Sequence, residues 1–138
     1  MNKETLEKDA DQWIKGWKEQ FNINDLDSKN IPEEIKIAIQ NNAKTLSKMI
    51  DFCRERDLRL VFVLPPVTKI LNSKFSSTFK ELYIYSLFDG SEKNDVQFLN
   101  YLDDERFSDD NYFFNSYFLN AKGRKLFTNQ VLKDIKLT

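Results

Sequence analysis

Side chains able to do chemistry crowd into the last third of the chain. Asp103, Asp104, Glu105, Asp109 and Asp110 fall within one short stretch. Paired carboxylates can run acid–base chemistry or bind a hard cation. Their spacing matches no calcium loop, so a solvated acidic loop is the plainer alternative. A run of aromatics overlaps them: Phe107, Tyr112, Phe113, Phe114, Tyr117 and Phe118. These rings can wall a sugar or partner site, or simply pack a core. At Asn120 to Arg124 a helix opens, whose first backbone N–H groups can hold an anion or merely be capped by the Asn120 side chain. Upstream, Val63 to Val67 reads Val-Leu-Pro-Pro-Val and closes an apolar strand. The carboxyl edge of an open parallel sheet is where ligands bind, although Pro65 and Pro66 also make a stiff turn.

The chain has no histidine. No side chain therefore has an unperturbed pKa between about 5 and 8, and a Ser-His-Asp mechanism cannot run within one copy. The single Cys53 excludes an internal disulfide and offers no metal cluster; its apolar helical register predicts core packing. Gly16, Gly90 and Gly123 are the only glycines. That leaves no phosphate loop, no dinucleotide fingerprint and no zinc pattern, and there is no Gly-x-Ser-x-Gly elbow. No metal and no cofactor is expected.

The chain has 138 residues, which predicts one domain, 1–138, since domains usually run about 100–150 residues. Hydrophobic content of 41%, with twelve Phe, five Tyr and two Trp, is enough to build a core. Basic and acidic residues number 21 and 22, for a net charge of −1, so nothing favours nucleic acid. No run approaches the roughly 18 apolar residues of a membrane span. The opening residues lack the apolar centre of a signal peptide. As written the chain is expected in the cytoplasm; cut from a membrane-anchored parent, it would work outside it.

Apolar spacing predicts an amphipathic helix over 3–21, with Leu6, Ala10, Trp13, Ile14, Trp17 and Phe21 on one stripe. A polar loop follows over 22–30. A long helix then starts at an Asn30 cap, carries Pro32, Glu33 and Glu34 in its first turn, and ends at Asp57. Ile35, Ala38, Ile39, Asn42, Leu46, Met49, Ile50 and Cys53 trace its apolar face. Leu60 to Leu64 is continuously apolar, which predicts a parallel strand covered on both faces, Val61 and Val63 included. A helix over 73–88 turns Phe75, Phe79, Leu82 and Ser86 inward and stops at Asp89-Gly90. Val96 to Tyr101 is a second strand. The last helix runs from the Asn120 cap to about Lys136, burying Leu126, Phe127, Val131 and Ile135. The order helix, strand, helix, strand, helix over 30–138 predicts an α/β fold: a short, mostly parallel sheet flanked by helices.

The Pro65-Pro66 loop and the closing run from Phe113 to Thr128 together resemble the C-terminal half of an SGNH hydrolase. The similarity is to the branch around the D-alanine transfer protein of teichoic acid D-alanylation and its exopolysaccharide-operon relatives. In that branch a strand ends in a hydrophobic-Pro-Pro-Val segment, as Leu64 to Val67 does. The closing block reads Phe-(Phe/Tyr)-Asp-x-x-His-Leu-Asn-x-x-Gly, and Phe113, Phe114, Leu119, Asn120 and Gly123 match it. Asn115 stands at the aspartate and Phe118 at the histidine. The end of the long helix, Phe52 to Arg56, is similar too. The first strand, the Gly-Asp-Ser nucleophile block and the oxyanion donors of that family have no counterpart upstream of residue 60.

The resemblance implies a three-layer SGNH-like fragment whose catalytic pair, at Asn115 and Phe118, is degenerate. Phe cannot move a proton and Asn cannot stabilise an imidazolium. The implied role is a non-catalytic partner or binding module in exopolysaccharide or teichoic acid biosynthesis. Its partner would be a polysaccharide-assembly protein or a glycan, and Pro65, Pro66, Asp103, Asp104, Asn115, Tyr117 and Asn120 would be the binding candidates. The alternative is a C-terminal fragment of an O-acyl transferase, esterase or D-alanine transfer protein whose serine-bearing half lies elsewhere. Half of such a sheet has an open edge, which predicts a homodimer. The tryptophan-bearing first helix is the candidate cover, either on its own sheet or on a neighbour's.

Overall fold

The computed structural model describes residues 1–89 and 95–135. In chain order the elements are α1 (Lys3–Gln20), α2 (Glu33–Arg54), β1 (Val61–Leu64), α3 (Lys69–Ser73), α4 (Ser77–Phe79), β2 (Gln97–Asn100) and α5 (Ala121–Asp134). β1 and β2 pair as a small parallel sheet, so the chain is the mixed α/β protein that the sequence predicts. It divides into two compact units, each assembled from separated stretches. The first holds Met1–Lys15, Val61–Lys74 and Phe98–Thr138; the second holds Gly16–Leu60 and Phe75–Gln97.

Both long helices form where their periodicity places them and stop in the same way, but α2 ends at Arg54 rather than Asp57. Of its expected apolar face only Ile35, Ile39, Leu46, Ile50 and Cys53 turn inward, because that line follows the helix period while Ala38, Asn42 and Met49 lie off it and are exposed. Asn22 has φ 52. Its N–H donates to the Glu19 carbonyl at 3.2 Å, and the Ile23 N–H donates to Lys18 at 2.9 Å. This double bond pattern with a left-handed residue is a Schellman stop, and a short polar side chain tolerates that φ. Asp57, also at φ 52, repeats it at the end of α2, where the Leu58 N–H reaches the Cys53 carbonyl at 2.9 Å. The start of α2 corrects the expectation. Pro32, not Asn30, is the cap residue, with ψ 144 and no side-chain cap bond. Its fixed φ and missing N–H suit a helix boundary, and its carbonyl accepts from Ile35 and Lys36.

In the first unit the core gathers Leu6, Ala10, Val67, Leu71, Tyr101, Leu102, Phe107 and Phe113. Tyr101, Phe107 and Phe127 meet edge to face, with centroids 5.2 to 5.8 Å apart. β1 departs from expectation: all its residues, Val61 and Val63 among them, are half-buried rather than covered on both faces. The cause is the size of the sheet. Among the described residues the sheet has two strands, and a parallel strand is fully buried only with neighbours on either side and helices over both faces. In α5 the inward line runs Gly123, Phe127, Val131, each four residues on. Leu126 lies off that line and is exposed, where burial was expected; Phe127, Val131 and Ile135 are half-buried.

In the second unit the core is an aromatic ladder. Trp17 lies 5.4 Å from Phe75, Phe75 5.6 Å from Phe79, Phe79 5.1 Å from Tyr83, and Tyr83 4.7 Å from Phe21. Such pairs each contribute about 0.5–1.5 kcal/mol beyond their burial. The helix expected over 73–88 is broken. α3 stops at Ser73, the Ser76 hydroxyl oxygen caps a new start by accepting from the Phe79 N–H at 3.1 Å, and the chain passes into a π turn over Lys80–Ile84 and a 3-10 turn over Tyr85–Phe88. Serine favours caps over helix interiors, and Tyr83, Ile84 and Tyr85 are weak helix formers. Gly90 and Lys136, expected at helix ends, lie outside the described residues.

The Tyr83 hydroxyl is buried without a hydrogen-bond partner among the described residues, and desolvation raises its pKa. Tyr83→Phe removes an unpaired polar group and keeps the ring stack. The expected result in urea melts is unchanged stability or a gain of about 1 kcal/mol; a loss of that size would mean the hydroxyl is bonded in solution.

Candidate functional site

A buried serine organises the first unit. Ser116 is 0% exposed. Its N–H donates to the Asp9 carboxylate at 2.9 Å, and its hydroxyl donates to the same oxygen. Its carbonyl accepts from the Thr68 N–H at 3.1 Å and from the Thr68 hydroxyl at 2.8 Å. Thr68 is itself fully buried and caps α3, its hydroxyl oxygen accepting from the Leu71 N–H. The Pro65-Pro66 segment runs into this cap: Pro65 is exposed, while Pro66 and Val67 are buried. The prolines thus deliver Thr68 to Ser116, next to Asn115 and Tyr117.

The closing block is a tight loop whose polar side chains are spent on its own backbone. The Asn115 side-chain oxygen accepts from the N–H groups of Tyr117 at 3.0 Å and Phe118 at 2.7 Å, an Asx turn. Phe114 donates its N–H to the Phe118 carbonyl at 2.7 Å, and Phe113 bridges antiparallel to Leu119. Asn120 caps α5 as expected: its side-chain oxygen accepts from the Gly123 N–H at 3.0 Å, and its NH2 donates to Asn111 and Phe113 carbonyls at 2.7 and 3.3 Å. A β-carbon on Gly123 would overlap the Tyr112 carbonyl oxygen. The helix start is therefore closed over backbone, and Gly123 is a packing requirement.

Above this loop lies an aromatic surface. Trp13 packs on Tyr117 at 4.8 Å and meets Phe118 edge-on at 5.9 Å; Tyr117 and Phe118 are 4.7 Å apart. Phe118 is 52% exposed and Phe114 70%. Trp13 and Tyr117 are half-buried. The site's chemistry is that of a rigid apolar face edged by amide and hydroxyl groups.

The acidic loop is not part of it. Asp104 caps a 3-10 turn and grips the Arg106 guanidinium, which holds its carboxyl below the usual range. Arg106 also reaches Asp134 of α5 at 3.4 Å. Asp103 accepts from the Asn72 NH2 of α3, Glu105 pairs with Lys69 at 2.8 Å, and Asp109 caps the next turn. Asp103, Asp104, Glu105 and Asp109 each have a partner of their own, and the described residues contain no group of three metal-binding side chains. So the structure brings Asn115, Tyr117 and Asn120 into one loop beside the Pro65-Pro66 segment, and points Asp103 and Asp104 to other tasks.

Cys53 is half-buried in the second unit, at a pocket of about 210 Å3 with Ile50, Arg54, Leu58, Arg59 and Asp95, rather than sealed in a core. The Arg54 cation there is answered by Asp95, whose carboxyl it holds low, and by Asp51. Asp9, Ser116 and Thr68 had no motif to flag them. One signal existed for Asp9: it is three residues after Leu6 and four before Trp13, which puts a charge on the apolar stripe of α1.

Compared with family models, curated proteins and solved structures, the chain matches none.

Two outcomes follow for the loop and its support. Gly123→Ala should cost about 2 kcal/mol or more, because backbone must move to admit the new atom; an unchanged melting temperature would refute the close approach. Tyr101 donates its hydroxyl to Asp134 at 2.8 Å, and burial first, then that carboxylate, pushes its pKa up to about 12. A folded pKa raised above an unfolded value near 10 adds stability that is complete below pH ~10 and lost as pH climbs to ~12. Wild type should lose stability over that window faster than Tyr101→Phe, as followed by denaturant melts at each pH.

Proposed function

We propose that this chain is a non-catalytic SGNH-like module that binds a glycan and serves as a partner in exopolysaccharide or teichoic acid biosynthesis. The observation that carries this reading is the aromatic face of Trp13, Tyr117 and Phe118, half-exposed at the position where the resembling family has its base. Aromatic rings offer flat apolar area with little side-chain entropy to lose, and the amphipathic rims of Trp and Tyr suit a ligand that is half C–H surface and half hydroxyl. The Asn115 side chain is engaged in its turn, so it supports the face rather than a proton relay.

The half-covered two-stranded sheet favours a second reading, a fragment of an O-acyl transferase or esterase completed by a serine-bearing half. Both readings include self-association, which half of such a sheet predicts.

Trp13 fluorescence tests the first reading in a Trp17→Phe background. Soluble exopolysaccharide or teichoic acid should quench or shift it saturably, and Phe118→Ala should weaken the response about tenfold, on the order of 1.4 kcal/mol. No response to either polymer would sink the glycan reading. Short acyl esters should not turn over above background; turnover abolished by Asn115→Ala or Phe118→Ala would make the chain an enzyme.

A further inference from the structure

The closing loop has two sides, set by its backbone. The Phe114 N–H donates to the Phe118 carbonyl at 2.7 Å, and the Asn120 N–H donates to the Tyr112 carbonyl at 2.9 Å. These bonds flank the antiparallel bridge of Phe113 and Leu119. Side chains alternate across such a ribbon. Phe113 and Leu119 share one side, where Phe113 is buried; Tyr112, Phe114 and Phe118 share the other, the side of the exposed rings. A cation stands on that side too. The Lys122 ammonium lies 5.2 Å from the centre of the Tyr112 ring. Tyr112 and Phe114 are two residues apart, about 7 Å along a strand, so charge and rings belong to one surface.

Lys122 is the first of a group. Arg124 and Lys125 follow it in the first two turns of α5, and all three are exposed. From Asn111 to Lys133 the chain carries Lys122, Arg124, Lys125 and Lys133 and no carboxylate, although acids outnumber bases over the whole sequence. Among the described residues none of the first three forms an ion pair. Asp109 and Asp110, just ahead of Tyr112, pair with none of them, and Asp9 beneath the rings is bonded to Ser116. Nor does α5 gain from these charges, since cations near a helix start oppose its dipole.

We infer that the ligand of this face is a polyanionic sugar chain, one that bears carboxylate or phosphate groups along its length. The claim rests on the glycan reading above and names the class of glycan. Rings and cations answer the two halves of such a polymer. The C–H faces of its sugars lie on Trp13, Tyr117 and Phe118. Its anions meet Lys122, and Arg124 and Lys125 add to the field that draws the chain in. A neutral chain would leave the cations without a counter-charge, and a bare anion would leave the rings uncovered.

Trp13 fluorescence of the full chain, in the Trp17→Phe background, tests this with three probes: polygalacturonate, poly(glycerol phosphate) and neutral dextran. At low salt at least one anionic polymer should bind about tenfold or more tightly than dextran, and which one binds tells carboxylate from phosphate. Its affinity should fall several-fold as added salt screens the cations. Lys122→Gln should weaken the anionic polymer several-fold with an unchanged circular-dichroism melt, and Lys122→Arg should restore it. Dextran binding as tightly as both polyanions, or polyanion binding indifferent to salt and to Lys122→Gln, overturns this inference and leaves the glycan reading standing. No response to any of the three overturns both. Vesicles of anionic lipid that shift Trp13 through Lys122, where both polyanions fail, would give the face to a membrane surface and overturn both as well.

Discussion

The first unit depends on one carboxylate reaching one serine. Asp9 takes both donors of Ser116, and the Ser116 carbonyl takes both donors of Thr68. These bonds join α1, the segment after β1 and the closing loop, which are 107 and 48 residues apart along the chain. Burying Ser116 and Thr68 would be costly if any of these groups were unpaired. Because every one is answered, the same burial fixes a single register for three segments. A charge as the central acceptor strengthens the bonds it receives. Leu6 and Ala10 are buried on the same helix and dock α1 in the core beside Asp9's bonds.

That constraint explains why the closing loop is so fully self-bonded. Once Ser116 points inward, the residues on either side must turn sharply. Asn115 accepts two backbone N–H groups to make that turn, and Asn120 with Gly123 closes the other end against Tyr112. An aspartate could make the Asx turn as well as an asparagine. The position therefore has a structural task independent of any proton chemistry, and exchange of one residue for the other leaves the fold its hydrogen bonds. The same economy governs the acidic loop, where caps and the Arg106 pairing absorb the carboxylates that looked reactive as a list of letters.

Local features were legible in the sequence because local physics sets them. The amphipathic stripe of α1, the inward residues Ile35, Ile39, Leu46, Ile50 and Cys53 of α2, the strand positions and the Asn120 cap all follow from spacing and residue type over a few positions. Tertiary context decided the rest. The run from Leu60 to Leu64 reads as a fully covered strand, yet how much is covered depends on how many neighbours a strand has, and that information lies elsewhere in the chain. The helix over 73–88 has the right period, but Ser76 and the packing of Phe75, Phe79 and Tyr83 against Trp17 and Phe21 bend it into turns. Within the candidate site, Asn115, Tyr117 and Asn120 could be named from their motif. Asp9 and Ser116 could not, since a long-range polar contact leaves no period behind.

The aromatic face then follows from the hub rather than standing beside it. Ser116 buried at 0% forces Tyr117 and Phe118 outward, because a tight loop cannot turn successive side chains to one interior. Trp13 is four residues beyond Asp9, one helical turn, so the carboxylate that anchors Ser116 also sets Trp13 beside Tyr117 at 4.8 Å. A single exposed Phe would call for no explanation. Three adjoining rings held by one buried network are different: their positions are fixed before any ligand arrives, so little conformational entropy remains to be lost on binding. The arrangement of the three rings is thus set by Asp9, Ser116 and Thr68, which fix the backbone on which Trp13, Tyr117 and Phe118 stand.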